Sequence, residues 1–81
     1  MSLTDLHADV WRRGVVKWYD RAKSYGFIMG DDGKDVFLHL GAVQKSRVKP
    51  VDIQGGARVE FTATKAPNKK LSDVTLIRLL E

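Results

Sequence analysis

The 81-residue chain has no cysteine, only two prolines and no long apolar run. Without cysteine there can be no disulfide, thiolate metal site or thiol nucleophile, and cysteine usage says nothing about redox compartment. Without about 18 consecutive apolar residues, no segment reads as a membrane-spanning helix. No Gly-rich phosphate loop and no Ser/His/Asp grouping is present. His7 and His39 lack carboxylates or cysteines at ligand spacing. Asp31-Asp32-Gly33-Lys34-Asp35 lacks the alternating oxygens and terminal Glu of an EF-hand and reads as a solvated turn. These absences argue against an enzyme, a metal, a cofactor or a small-molecule substrate. The opening Met1–Asp9 carries acids where a secretory leader has a basic region, and it has no apolar stretch. The expected setting is the cytoplasm, with no membrane contact.

What is present is positive charge. Fourteen Lys and Arg face ten Asp and Glu, for a net charge of +4 and an isoelectric point near 9.6. That balance favours a polyanionic partner. The length suits one domain, expected to be a monomer, with a modest core and a thin stability margin.

Residues 1–9 read as a loosely ordered arm, in which Thr4 can cap one turn gathering Leu3, Leu6 and Val10. Residues 10–80 form the domain. Val10 to Tyr19 is rich in β-branched and aromatic residues and reads as a long first strand, bent at Gly14. Tyr25 to Met29 and Val36 to Leu40 flank the turn Gly30-Asp31-Asp32-Gly33, giving a hairpin. Residues 41–56 show no sustained period and read as a long surface loop with one helical turn. Ala57 to Ala63 alternates as a half-buried strand does. Pro67 to Lys70 is a turn, with Lys69 and Lys70 read as solvated or, alternatively, as touching phosphate, and Asp73 to Leu80 is a last strand. Five short strands suggest an all-β fold, a small barrel in preference to a sandwich.

The hairpin is the informative stretch. Strand side chains alternate between faces, so Tyr25, Phe27, Phe37 and His39 share one face while Ile28, Val36 and Leu38 share the other. A half-buried sheet needs only one apolar face. The second is aromatic, with Lys17, Arg21 and Lys23 close in sequence. Bases stack on such rings while cations neutralise phosphates. The other reading buries both faces, one in the barrel and one beneath the 41–56 loop or a partner. Trp11, beside Arg12 and Arg13, either extends the binding face or is buried against the arm.

These residues resemble the cold-shock domain. Gly14-Val-Val-Lys-Trp-Tyr-Asp20 resembles that family's opening strand. Lys23-Ser-Tyr-Gly-Phe-Ile28 and Val36-Phe-Leu-His-Leu40 resemble its two ribonucleoprotein motifs. The likeness extends over residues 14–76 or so, and three motifs in order make it specific. It implies a five-stranded OB-type β-barrel that binds single-stranded RNA or DNA across its second and third strands, as an RNA chaperone or a cold-shock-type regulator of transcription or translation. By matching position, Trp18, Tyr25, Phe27, Phe37 and His39 would stack on bases, and Lys17 and Lys23 would contact the backbone. The resemblance puts Val16 inside and Trp18 outside, against simple alternation, so a β-bulge near Lys17 is expected. The chain departs from the family at Leu40 and Val48, where aromatics are usual, and at Ser24, where glycine is. Leu40 and Val48 are the departures behind an alternative, a protein-interaction module with weakened nucleic-acid binding.

Overall fold

The computed structural model describes residues 10–80. The expected arm over residues 1–9, with its turn capped by Thr4, lies outside the described residues. Five strands make up the body: β1 (Arg12–Asp20), β2 (Tyr25–Gly30), β3 (Asp35–His39), β4 (Arg58–Thr64) and β5 (Ser72–Leu79). They close into a barrel in the spatial order β1-β2-β3-β5-β4, with β4 returning to β1. The expected all-β, five-stranded OB-type barrel is the observed fold. Strand ends move by one or two residues from the sequence reading, and the largest change is at Leu40, which starts a helix and does not end β3.

The barrel closes because two strands carry an extra residue. On β1, Val16 pairs with Ile28 and Trp18 with Phe27, so Lys17 is unmatched. This is the expected bulge, and it turns Val16 inward and leaves Trp18 41% exposed. Gly26 makes it possible, since a Cβ there would lie 2.2 Å from the Trp18 carbonyl oxygen. No register shift falls at Gly14, where a bend was expected. That glycine serves close approach, because a Cβ would sit 2.4 Å from the Met29 carbonyl oxygen. On β5, Thr62 pairs with Leu76 and Ala63 with Val74, leaving Thr75 as the extra residue. Val74 and Ile77, three apart, therefore both enter the core. The Thr75 and Thr62 hydroxyls satisfy each other at 2.6 Å.

The inward face is aliphatic apart from Phe61. Val16, Ile28, Val36, Leu38, Val43, Val59, Phe61 and Ile77 are fully buried. The expected loop over 41–56 is partly ordered as a helix, α1 (Leu40–Lys45), and a 3-10 turn at Pro50–Asp52. Six helical residues are too few for a readable period and too few to persist alone. Packing holds them: Ala42 and Val43 are buried, and α1 lies against β5. The parallel β3–β5 ladder spans only Val36↔Ser72 and Phe37↔Asp73. Beyond it the end of α1 takes over, where the Ser46 hydroxyl accepts the Ile77 amide at 2.8 Å. Leu40 and Val48 are half-buried and pack against the core.

Removing an inward side chain should leave a cavity. Ile28→Ala should cost about 2–4 kcal/mol in denaturant melts. Leu40→Phe should overpack and cost roughly 1–3 kcal/mol. A Leu40→Phe protein with an unchanged melt would show that Leu40 has room to leave the core.

Candidate nucleic-acid interface

The outward face of β1, β2 and β3 gathers the rings. Direct cross-strand partners are Trp18↔Phe27, Phe27↔Phe37 and Tyr25↔His39. Trp18 meets Tyr25 and Phe27 edge-on, each at 5.3 Å between centroids. Phe27 meets Phe37 edge-on at 5.6 Å. Tyr25 lies near-parallel to Phe37 at 5.8 Å, and Phe37 to His39 at 6.4 Å. The five rings named from sequence thus form one connected surface. Edge-to-face pairs of this kind contribute about 0.5–1.5 kcal/mol beyond area burial, which offsets part of the cost of leaving apolar rings in water. The 41–56 segment does not bury this face: Trp18 and His39 are exposed and the other three rings are half-buried.

His39 has a second task. It is the N-cap of α1, and its Nδ1 accepts the Gly41 amide at 3.1 Å. The ring is therefore held by the backbone at one nitrogen, with the Nε2 proton directed away from the cap. No local signal in the sequence marked this role, because histidine is not among the usual caps.

The cations are distributed unevenly. Lys17, on the bulge, pairs with Asp35 at 3.0 Å. Both side chains are well exposed, and such a pair is worth about 0–1 kcal/mol, so a phosphate can replace the carboxylate. Lys23 lies in the β1–β2 turn, which Asp20 organises by accepting the Lys23 amide on its side chain and the Ser24 amide on its carbonyl. The Lys23 ammonium has no ion pair among the described residues. The acidic turn after β2 is occupied internally: Asp32 accepts from Arg12 and from the Lys34 amide. The Lys34 amide, with the Arg12 and Lys34 charges adding to it, holds the Asp32 carboxyl below its ordinary range. Tyr19 packs on the core. Burial pushes its phenol up, and the hydroxyl has no partner among the described residues.

The sequence reading missed one part of the surface. Lys69, Lys70, Leu71 and Asp73 line a shallow pocket together with Phe27 and Phe37. The β4–β5 connection is exposed at Pro67 to Lys70, as a solvated turn is, and the β3–β5 pairing brings it to the edge of the aromatic face. Lys69 pairs with Asp73 at 3.0 Å. Trp11 is half-buried with the Arg78 guanidinium 3.9 Å above its ring. Among the described residues no helix is long and apolar enough to cross a membrane.

A closed five-stranded barrel with a connected aromatic surface on three adjacent strands defines an OB-type binding domain. The chain belongs to the cold-shock family: the sequence profile of the 'Cold-shock' DNA-binding domain matches residues 12–76. It is 44% identical over 50 residues to cold shock protein 1 of Lactiplantibacillus plantarum, covering 62% of this chain and 73% of that protein. It is 47% identical over 49 residues to a cold shock-like protein of Thermotoga maritima, covering 60% and 71%. With cold shock-like protein CspE of Escherichia coli the identity is 45% over 53 residues, covering 64% and 74%.

Ser24 holds a φ of 63°, a left-handed conformation that costs a residue bearing a Cβ roughly 1–2 kcal/mol. Its carbonyl accepts the Leu40 amide at 3.0 Å, so the loop cannot relax without breaking that tie. Ser24→Gly should raise stability by up to about 1 kcal/mol, the strain relief exceeding the added chain entropy. Ser24→Val should lower it. Paired melts of the two variants check the sign.

Proposed function

We propose that residues 10–80 are a domain that binds single-stranded RNA or DNA on the outer face of β1–β3 and performs no chemistry. The observation that carries this reading is the connected set of rings on that face. Trp18, Tyr25, Phe27, Phe37 and His39 stack on unpaired bases, each stack contributing roughly 1–3 kcal/mol. Lys17 and Lys23 neutralise phosphates between them. A duplex keeps its bases stacked inside and offers this surface little, so single strands are preferred. Holding bases apart without hydrolysing anything suits an RNA chaperone or a cold-shock-type regulator of transcription or translation, acting as a cytoplasmic monomer. The alternative, a protein-interaction module, drew on Leu40 and Val48. Both are half-buried against the core, and the five rings form a connected surface without them.

A titration followed by tryptophan fluorescence tests this. Single strands should quench emission more than duplex of equal length, and Trp18→Phe should remove most of the signal while Trp11→Phe should not. An equal response to duplex, or none at low salt, refutes the reading. With about three to five phosphate contacts, log K against log salt should slope at roughly −2 to −3.5. Phe27→Ala and Phe37→Ala should lose more in binding than in folding, opposite to Ile28→Ala.

A further inference from the structure

The outward surface does not stop at Trp18. On β2, Met29 follows Phe27 on the same face and is 44% exposed; its partner on β1 is Val15, 38% exposed. Val15 is in turn opposite Arg58 on β4. Two residues further along β1, Arg13 is opposite Glu60, and Glu60 is opposite Arg78 on β5. The rings thus lead over an apolar step, Met29 and Val15, to three arginines spread over three strands.

These arginines are held in place. Glu60 accepts from Arg13 Nε at 3.2 Å and from Arg78 Nε at 2.8 Å. Those hydrogen bonds, from Arg78 and then Arg13, keep the Glu60 carboxyl below its ordinary range. With Nε engaged, the Nη groups of both arginines have no protein acceptor among the described residues. Trp11 supports the Arg78 guanidinium from below at 3.9 Å. Arg58 is exposed and has no ion pair among the described residues. Among the described residues, three guanidinium groups stand against one paired carboxylate, Glu60, which leaves this strip cationic. A guanidinium fixed through Nε presents its two Nη groups as a fork, which matches phosphate oxygens. The acidic turn at Asp31 and Asp32 borders the strip, and Asp32 is already engaged by Arg12.

We propose that a bound single strand continues past Trp18, over Met29 and Val15, and lays its phosphodiester backbone on Arg58, Arg13 and Arg78. The proposal rests on the single-strand reading above and adds a second stretch to its path. From β2 through β1 and β4 to β5 is three interstrand spacings of ~4.8 Å, about 14 Å of surface and room for roughly two to three further nucleotides. The contacts are with phosphate, so this stretch adds affinity without base preference.

The test compares oligothymidylates of about six and about twelve nucleotides over a salt series, with the whole chain. Extra binding registers raise long-strand affinity but leave the salt slope alone, so the slope is the deciding quantity. The wild-type slope should be steeper for the long strand by about 0.7 for each added phosphate contact. Arg58→Gln and Arg78→Gln should each weaken the long strand by roughly three- to ten-fold and flatten its slope, while short-strand affinity stays. Arg58→Gln breaks no ion pair among the described residues, so its melt should match the wild type and keeps the test valid if Arg78→Gln destabilises the barrel. Equal slopes for the two lengths, or equal losses at both lengths, overturn the extended path and leave the single-strand reading standing. If neither length binds the wild type, both readings fall together.

Discussion

The unmatched residue at Lys17 is the constraint on which the rest of the structure depends. Without it, Val16 and Trp18 point the same way, and the barrel gains a buried indole or loses a core valine. With it, one strand supplies both Val16 to the core and Trp18 to the outer face. The same residue leaves Lys17 exposed beside the rings. Gly26 is the other half of the device, since only a missing Cβ lets β2 approach the Trp18 carbonyl so closely. Core, platform and one of its cations therefore share a single backbone irregularity.

The hairpin has two apolar faces of different character. The inner is aliphatic and closes without ring geometry to satisfy. The outer is aromatic and stays half in water because its rings contact one another edge-on and near-parallel. A barrel this small gains little margin from its core, so exposing these rings has a real cost. Cross-strand contacts between them recover part of it. That balance accounts for a surface that is ordered before any ligand arrives, which lowers the entropy cost of binding.

Charge is arranged in two ways around the barrel. Beside the rings, Lys17 and Lys69 are in exposed single pairs with Asp35 and Asp73, each readily exchanged for another anion. On β1, β4 and β5 one carboxylate, Glu60, serves two guanidiniums and fixes their direction. The first arrangement leaves cations in single exposed pairs near the rings, and the second fixes guanidiniums at a distance from them.

The sequence by itself determined the strands, the two faces of the hairpin and the five rings of the platform. The strands, the two faces and four of the rings follow from period-two alternation and turn chemistry, which are local; Trp18 followed from the family resemblance, against simple alternation. It also carried the bulge, through the conflict between alternation and the family motif at Val16 and Trp18. Tertiary structure alone decided the rest. Whether Leu40 ends a strand or opens a helix depended on what α1 finds to pack against, because six residues have no preference strong enough to decide it. That His39 caps this helix followed from the same packing. The pocket shared by Lys69, Lys70, Phe27 and Phe37 exists because β3 and β5 meet, a contact between segments more than thirty residues apart in the chain. The alignment of Arg13, Glu60 and Arg78 likewise depends on the register of three strands at once. Alternation assigns a side chain to a face, but only closure of the barrel sets which faces become neighbours.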